Sequence, residues 1–292
     1  MSDLKKTQSC SIVIPAYNEE GTIGSTLASL LRDAWPGEFD VIVVCNGCHD
    51  KTKEAASNSA PSARIIDLKL ASKTAALNAG IAAANHNSVV LLDADIKTTA
   101  QAVRALVRFL ADQDADLAYG NAYFDTGRCS WVVKEFYKAW QQNPYFEKHK
   151  LGGFFALSLR GLKRLGKFPE TTNDDEYVRR KLIDSSIFVQ AAHYVIEAPR
   201  TLSNLIRVRS RVYRGNAELV ALSVGLGSNF RVQNSYSFLR RILVRPSLWL
   251  GASVFSVVAV AAHLRNRNSK QRFVHWEKDY STRPSLQELG KS

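Results

Sequence analysis

Val89-Val90-Leu91-Leu92-Asp93-Ala94-Asp95 decides how the rest of this chain is read. Four apolar residues, two of them β-branched, predict a buried strand. Two carboxylates follow where that strand ends. Residues i and i+2 of an extended segment point to one side, so Asp93 and Asp95 converge on one object. Close carboxylates repel unless a cation sits near them, and a divalent metal holding a phosphate suits that need. A plainer reading stands beside it: both are loop residues, one of them capping a helix that starts near Thr98.

Working outward, the same pattern repeats. Ser11-Ile-Val-Ile-Pro15 is a β-branched run stopped by proline, a strand leading into the loop Ala16–Gly21. Thr22–Arg32 has helical spacing. Phe39–Val44 is a second strand, ending in Cys45-Asn46-Gly47-Cys48-His49-Asp50-Lys51-Thr52, a turn with Asn-Gly at its centre. Ala63–Leu68 predicts a third strand, Lys73–Ala84 a helix, Ala100–Ala111 another helix, and Leu117–Gly120 a further strand. Strands alternating with helices make βαβ units, an α/β fold with a mostly parallel sheet. Ligands bind outside the carboxyl ends of such strands. Three polar loops fall there: Tyr17–Glu20, Asn46–Asp50 and Asp93–Asp95. No G-x-G-x-x-G follows a strand and no G-x-x-x-x-G-K-[ST] is present, which disfavours dinucleotide oxidoreductases and P-loop NTPases.

The chain has 292 residues, 46% hydrophobic and 23% charged, enough for a large core. Its formal net charge of +12 points to an anionic partner: nucleic acid, anionic lipid or a phosphorylated substrate. Cys10, Cys45, Cys48 and Cys129 do not form a disulfide framework, and Cys45-Asn-Gly-Cys48 lacks a second pair to complete a zinc site. A reduced, cytosolic chain is expected. The first nine residues are polar, with no apolar core of a signal peptide.

Downstream, Trp131–Lys150 is aromatic and basic, suited to a helix packed on the sheet or to substrate stacking. Gly152-Gly153 precedes the apolar Phe154–Leu157 and allows close approach to the backbone, or simply a turn. Asn173-Asp174-Asp175-Glu176 is the densest acidic cluster; helix capping explains part of it, and a crowded, partly buried carboxylate also suits a general base. Arg207-Val-Arg209-Ser-Arg211 alternates arginine as an extended segment would to face phosphates, though a solvated or lipid-facing patch has the same composition. Pro246–Leu264 is uncharged and apolar, flanked by Arg240, Arg241 and Arg245 before it and Arg265, Arg267 and Arg272 after. Basic flanks at both ends predict a helix lying in the cytoplasmic membrane face rather than a single span; a span and a buried core helix are the alternatives.

Together, Ile14-Pro15-Ala16-Tyr17-Asn18-Glu19-Glu20, Asn46-Gly47-Cys48-His49-Asp50-Lys51-Thr52, Ser72-Lys73-Thr74-Ala75-Ala76-Leu77-Asn78-Ala79-Gly80 and Asp93-Ala94-Asp95 stand in the order and approximate spacing of glycosyltransferase family 2, which the chain resembles over roughly residues 10–215. That resemblance implies the GT-A fold: a Rossmann-like, mostly parallel sheet flanked by helices. It implies nucleotide contacts from Pro15, Ala16, Tyr17, Glu19, Asn46, Lys73 and Asp93, and a divalent cation, Mn²⁺ or Mg²⁺, on Asp95. It implies a catalytic base at Asp175, with Asp174 second. Gly152, Gly153, Arg209 and Arg211 would contact the diphosphate or acceptor. The implied partners are a nucleoside diphosphate sugar, a glycan or lipid-linked acceptor and an anionic membrane surface, with no nucleic acid.

The departures also inform. Cys45-Asn46 stands where the family has an acidic pair, and Arg209-Ser-Arg211-Val lacks the Gln and Trp of processive members. Transfer of a single sugar is therefore expected, inverting because no second carboxylate nucleophile is evident. A sugar-1-phosphate nucleotidyltransferase would need a Gly-rich, Arg-containing N-terminal loop, which is missing; a non-catalytic membrane-associated nucleotide-sugar-binding protein is the other alternative. The expected organisation is a tail at 1–9, the transferase domain at 10–215, a helical connection at 216–245, the membrane-associated helix at 246–264 and a basic polar tail at 265–292.

Overall fold

The computed structural model describes residues 9–148, 150–222 and 237–268. The expectations for residues 1–8 and 269–292 fall outside them. One eight-stranded sheet organises the chain. Its strands are β1 (Cys10–Ala16), β2 (Phe39–Asn46), β3 (Arg64–Leu68), β4 (Val89–Leu92), β5 (Ile96–Lys97), β6 (Leu117–Asp125), β7 (Phe154–Leu157) and β8 (Ser186–Glu197). Their order is β3-β2-β1-β4-β7-β6-β8-β5. The half from β3 to β4 is parallel. Beyond it, β7 runs antiparallel to both β4 and β6, β6 and β8 pair parallel, and β5 crosses back on β8. The sheet is thus mixed, with the βαβ expectation met in its first half.

Apolar residues on both faces of the central strands explain the layering. On β4, Val90 and Leu92 enter one core while Val89 and Leu91 enter the other. The first core is closed by α1 (Ile23–Leu31) and α4 (Ala100–Asp112), through Leu27, Leu30, Val103 and Leu106. The second is closed by α3 (Lys73–Ala82), α7 (Leu159–Leu165) and α8 (Asp174–Leu182), through Leu77, Leu165, Val178 and Leu182. Strands buried on both faces have no polar alternation, as parallel strands require.

A third cluster joins α5 (Trp131–Trp140), α9 (Leu202–Ala221) and α10 (Trp249–Asn268), around Val133, Phe136, Leu205 and Val258. Residues 237–243 are also helical. Here the structure corrects the sequence reading. Arg207–Gly215 is not extended but lies inside α9, a continuous helix whose N-cap Thr201 accepts a hydrogen bond from the Asn204 amide at 3.3 Å. Arginine is a good helix former, and residues two apart on a helix face nearly opposite ways. Arg209 and Arg211 therefore do not present a common guanidinium face.

Candidate active site

The carboxyl ends of β1, β2 and β4 meet at one edge of the sheet, and hydrogen bonds lace the first two loops together. Asn18, at φ 52°, accepts from the His49 amide at 2.8 Å; the Glu19 amide donates to Thr52 Oγ1 at 2.7 Å; the Lys51 amide donates to Glu20 Oε2 at 2.9 Å. This lacing places most of the first-loop candidates inside. Pro15 and Ala16 are buried strand residues in register with Val44 and Cys45, and Glu19 is buried, accepting from Thr22. Tyr17 alone of the four keeps exposed surface.

Asn46 is tied to the neighbouring strand. Its side chain is fully buried, and its Nδ2 donates to the Ala16 carbonyl at 2.8 Å. It straps the ends of β1 and β2 together, with Cys48 Sγ reaching the same carbonyl at 3.4 Å. The position and polar type were legible; which way the amide points depends on β1 and β2 being neighbours.

Beyond β4 the charged groups converge. Ser72 caps α3, its hydroxyl accepting from the Ala75 amide, and so sets Lys73 in the first helical turn. The Lys73 ammonium lies 2.6 Å from Asp93 Oδ1 and 3.0 Å from Asp174 Oδ2. Burial disfavours that ammonium, but Asp174 and Asp93 outweigh it and raise its pKa above the ordinary value. The Asp93 carboxyl is pushed up to about 7: burial leads, Lys73 opposes it, and Asp174 and Asp95 reinforce it. Asp93 is held from behind by the Gly153 carbonyl, which accepts from its amide at 2.9 Å.

The acidic cluster resolves into three separate pairings from one helical turn. Asp174 faces Lys73. Asp175 faces Lys150 at 3.8 Å. Glu176 turns away, pairing with Arg179 at 2.7 Å and Arg180 at 2.8 Å. All three acids also lie where the helix dipole favours negative charge. Asp175 keeps more exposure than Asp174, 22% against 10% of the side chain. The Tyr145 and Tyr194 hydroxyls are raised by burial and then by the charge of Asp175, which places both near it.

Gly152 and Gly153 sit at φ 60° and 80°, where a side chain is strained. A Cβ on Gly152 would come within 2.5 Å of the Tyr194 hydroxyl, and one on Gly153 would collide with the Asp93 carboxylate. The groups that approach these glycines closely are the chain's own Tyr194 and Asp93 side chains. Arg209 is likewise engaged, stacked 4.7 Å over Trp140 and 5.6 Å from the Tyr213 ring centre. Sequence reasoning missed Lys150 and Tyr194. Lys150 directly precedes the glycine-bearing turn. Tyr194 donates to the Leu151 carbonyl at 2.6 Å from β8, a strand whose pairing had no local signal.

Asp95 is exposed, three residues past the buried end of β4, and forms no ion pair with any described residue. No cluster of three His, Cys, Asp or Glu side chains that could hold a metal exists among the described residues. Among the described residues this edge therefore offers one or two carboxylates rather than a cage. Such a set fits a Mg²⁺-like cation that shares its shell with phosphate oxygens and water.

A family model described as Glycosyl transferase family 2 matches residues 11–164. Glycosyltransferase AglE of Haloferax volcanii is 23% identical over 222 residues, covering 72% of this chain and 73% of AglE. The undecaprenyl-phosphate 4-deoxy-4-formamido-L-arabinose transferase of Edwardsiella ictaluri is 30% identical over 124 residues, 40% of this chain and 38% of that protein. The uncharacterised glycosyltransferase YibD of Escherichia coli is 26% identical over 144 residues, and the match spans 40% of its length. Among solved structures, the mannosyltransferase PcManGT of Pyrobaculum calidifontis, in complex with GDP-Man and Mn²⁺, superposes with a TM-score of 0.60 at 19% identity, over 90% of this chain and 88% of that one. The likeness gives the fold, the GT-A arrangement of a mixed sheet between helices.

Proposed function

The chain belongs to glycosyl transferase family 2, and on that premise we propose that it transfers one sugar from a nucleoside diphosphate sugar to an acceptor hydroxyl with inversion. The observation that carries this reading is the Asp93–Lys73–Asp174 bridge, with Asp95 open on one side and Asp175 on the other. It sets a donor-side carboxylate and an acceptor-side carboxylate about one lysine apart.

Tyr17 and Asp93 are the residues at this edge suited to the donor nucleoside. Asp95 would hold Mn²⁺ or Mg²⁺, which when bound neutralises charge on the leaving diphosphate. Lys73 adds fixed positive charge between the carboxylates. Asp175 takes the proton of the acceptor hydroxyl as its oxygen bonds to the anomeric carbon and the bond from that carbon to the diphosphate breaks. Asp175 is preferred to Asp174 because it is the more exposed and Asp174 is committed to Lys73. With one carboxylate so placed there is one displacement, hence inversion.

The acceptor is proposed to be lipid-linked or a cell-surface glycan, met at the cytoplasmic face of a membrane. Support comes from α10, which belongs to a segment, Pro246–Arg267, long and apolar enough to cross a membrane by length and composition. The Edwardsiella relative is named for an undecaprenyl-phosphate substrate.

The test is calorimetric titration of UDP-glucose and GDP-mannose with Mn²⁺, paired with turnover. Asp95→Ala should abolish the metal dependence of donor binding. Asp175→Asn should bind donor as the wild type does and lose transfer. Unchanged metal-dependent binding in Asp95→Ala would sink the metal assignment, and retained turnover in Asp175→Asn would sink the base.

A further inference from the structure

Three consecutive residues lead into the acidic turn, Thr171, Thr172 and Asn173, and all three are held by one face of α9. Glu218 Oε2 accepts from the Thr172 amide at 2.8 Å, the Thr172 hydroxyl at 2.6 Å and the Thr171 hydroxyl at 3.4 Å. Asn173 Nδ2 donates to Asn216 Oδ1 at 3.0 Å. Gly215 completes the contact, since a Cβ there would lie 2.6 Å from Asn173 Cβ. Gly215, Asn216 and Glu218 lie within one turn of the helix. Asn173 is the N-cap position of α8, yet its side chain makes no capping hydrogen bond. Its orientation is set from α9 instead.

The chemistry of these contacts is directional. Glu218 forms no ion pair with any described residue, so its carboxylate is spent on three neutral donors of a single short loop. Hydrogen bonds to a charged acceptor are stronger and more geometrically specific than neutral ones. The loop they hold continues directly into Asp174 and Asp175. Lys73 and Lys150 fix the carboxylate ends of those residues; nothing in that pairing fixes the backbone that carries them. The family match ends at residue 164, so α9 lies beyond the segment that identifies the chain.

We propose that Glu218, with Asn216 and Gly215, is a positioning element for the base: α9 sets the backbone of Thr171–Asn173 so that Asp175 points at the acceptor hydroxyl. This rests on the reading of Asp175 as the base. A misplacement of about 1 Å costs on the order of 100-fold in rate, so the loss should fall on turnover and not on donor affinity.

The experiment compares Glu218→Ala, Glu218→Gln, Thr172→Val and Asp175→Asn in the full chain. Three quantities are read: release of nucleoside diphosphate from UDP-glucose or GDP-mannose with Mn²⁺ and water as acceptor, the dissociation constant of the same donor, and amide hydrogen exchange across residues 168–178. In Glu218→Ala, kcat should fall about 10- to 100-fold with donor affinity within about twofold, and exchange at 171–175 should rise about tenfold. Glu218→Gln keeps an acceptor oxygen and should recover part of both; Thr172→Val removes one donor and should shift both in the same direction by less. If Asp175→Asn is inactive while Glu218→Ala turns over normally, the positioning inference fails and the base assignment stands. If Asp175→Asn turns over normally, the base assignment fails, and unchanged exchange at 171–175 in Glu218→Ala then overturns the positioning contact as well. Loss of donor affinity in step with kcat would overturn it in favour of a general folding role.

Discussion

Lys73 is the residue through which the end of β4 and the acidic helix α8 meet. Its ammonium is shared by Asp93 and Asp174, whose carboxylates repel one another. Taking one partner from a largely buried charge group costs more than the group contributes intact, because the others are left uncompensated. Lys73→Ala should therefore destabilise by about 3 kcal/mol, read as a lower denaturant midpoint at unchanged slope. Gly153 offers a second test at this scale. Gly153→Ala meets both an unfavourable φ and the Asp93 carboxylate, whereas Gly166→Ala, at φ 69° with nothing within 4 Å, meets only the first. Gly166→Ala should cost about 1 kcal/mol and leave donor binding unchanged, and Gly153→Ala about 2–3 kcal/mol with weakened donor binding. Equal effects in thermal unfolding and donor titration would show that Gly153 has no bearing on Asp93. Residue types and order were legible here: Asp93, Asp95, Lys73 and Asp174-Asp175 all lie at one sheet edge. Side-chain direction was not, because Asn46 finds its partner on a neighbouring strand and Glu176 finds its partners within its own helix.

At the scale of elements, the strands with apolar runs on both faces were readable, and those that depend on distant pairing were not. β4 carries four buried residues and reads as a strand by itself. β8 has exposed and buried positions mixed along twelve residues, and it is a strand because β6 and β5 pair with it. The arginine alternation misled for a related reason: spacing of two in a segment rich in helix formers carries no strand signal without β-branched or aromatic alternation. α10 tests the packing of the added helices. Phe255 stacks on Phe136 of α5 with ring centres 5.5 Å apart and touches Phe238 at the same separation. Phe255→Ala should cost about 2–3 kcal/mol, seen as a fall in thermal midpoint with donor affinity retained. A neutral result would mean that α10 is held to α5 by other contacts.

For the whole molecule, α10 has two unlike faces. Gly251, Val258 and Ala262 are buried, and Phe255 is half-buried against Phe136. Leu250, Val257, Val260 and Leu264 stand 52–65% exposed on the other side, with Leu239, Leu243 and Val244 exposed nearby. Large apolar side chains exposed along one side of a helix on a charged protein mark a surface that another apolar phase covers. Arg240, Arg241 and Arg245 precede it and Arg265 and Arg267 follow it, so both ends are basic. A helix with one side committed to the protein and the other apolar suits the plane of a membrane better than a path through it. Each arginine near an anionic surface adds about 1 kcal/mol, and that part is screened as the Debye length shortens below about 10 Å above 0.1 M salt. The chain should therefore pellet with phosphatidylglycerol vesicles and much less with phosphatidylcholine, and salt at about 0.5 M should release most of it. Leu250→Ser/Val257→Ser/Val260→Ser, at exposed positions, should keep the thermal midpoint and donor affinity and lose pelleting at every salt concentration. Pelleting of the wild type that survives both salt and alkaline washing would place the segment across the bilayer instead. Equal pelleting of the triple variant would move the docking surface off α10 altogether.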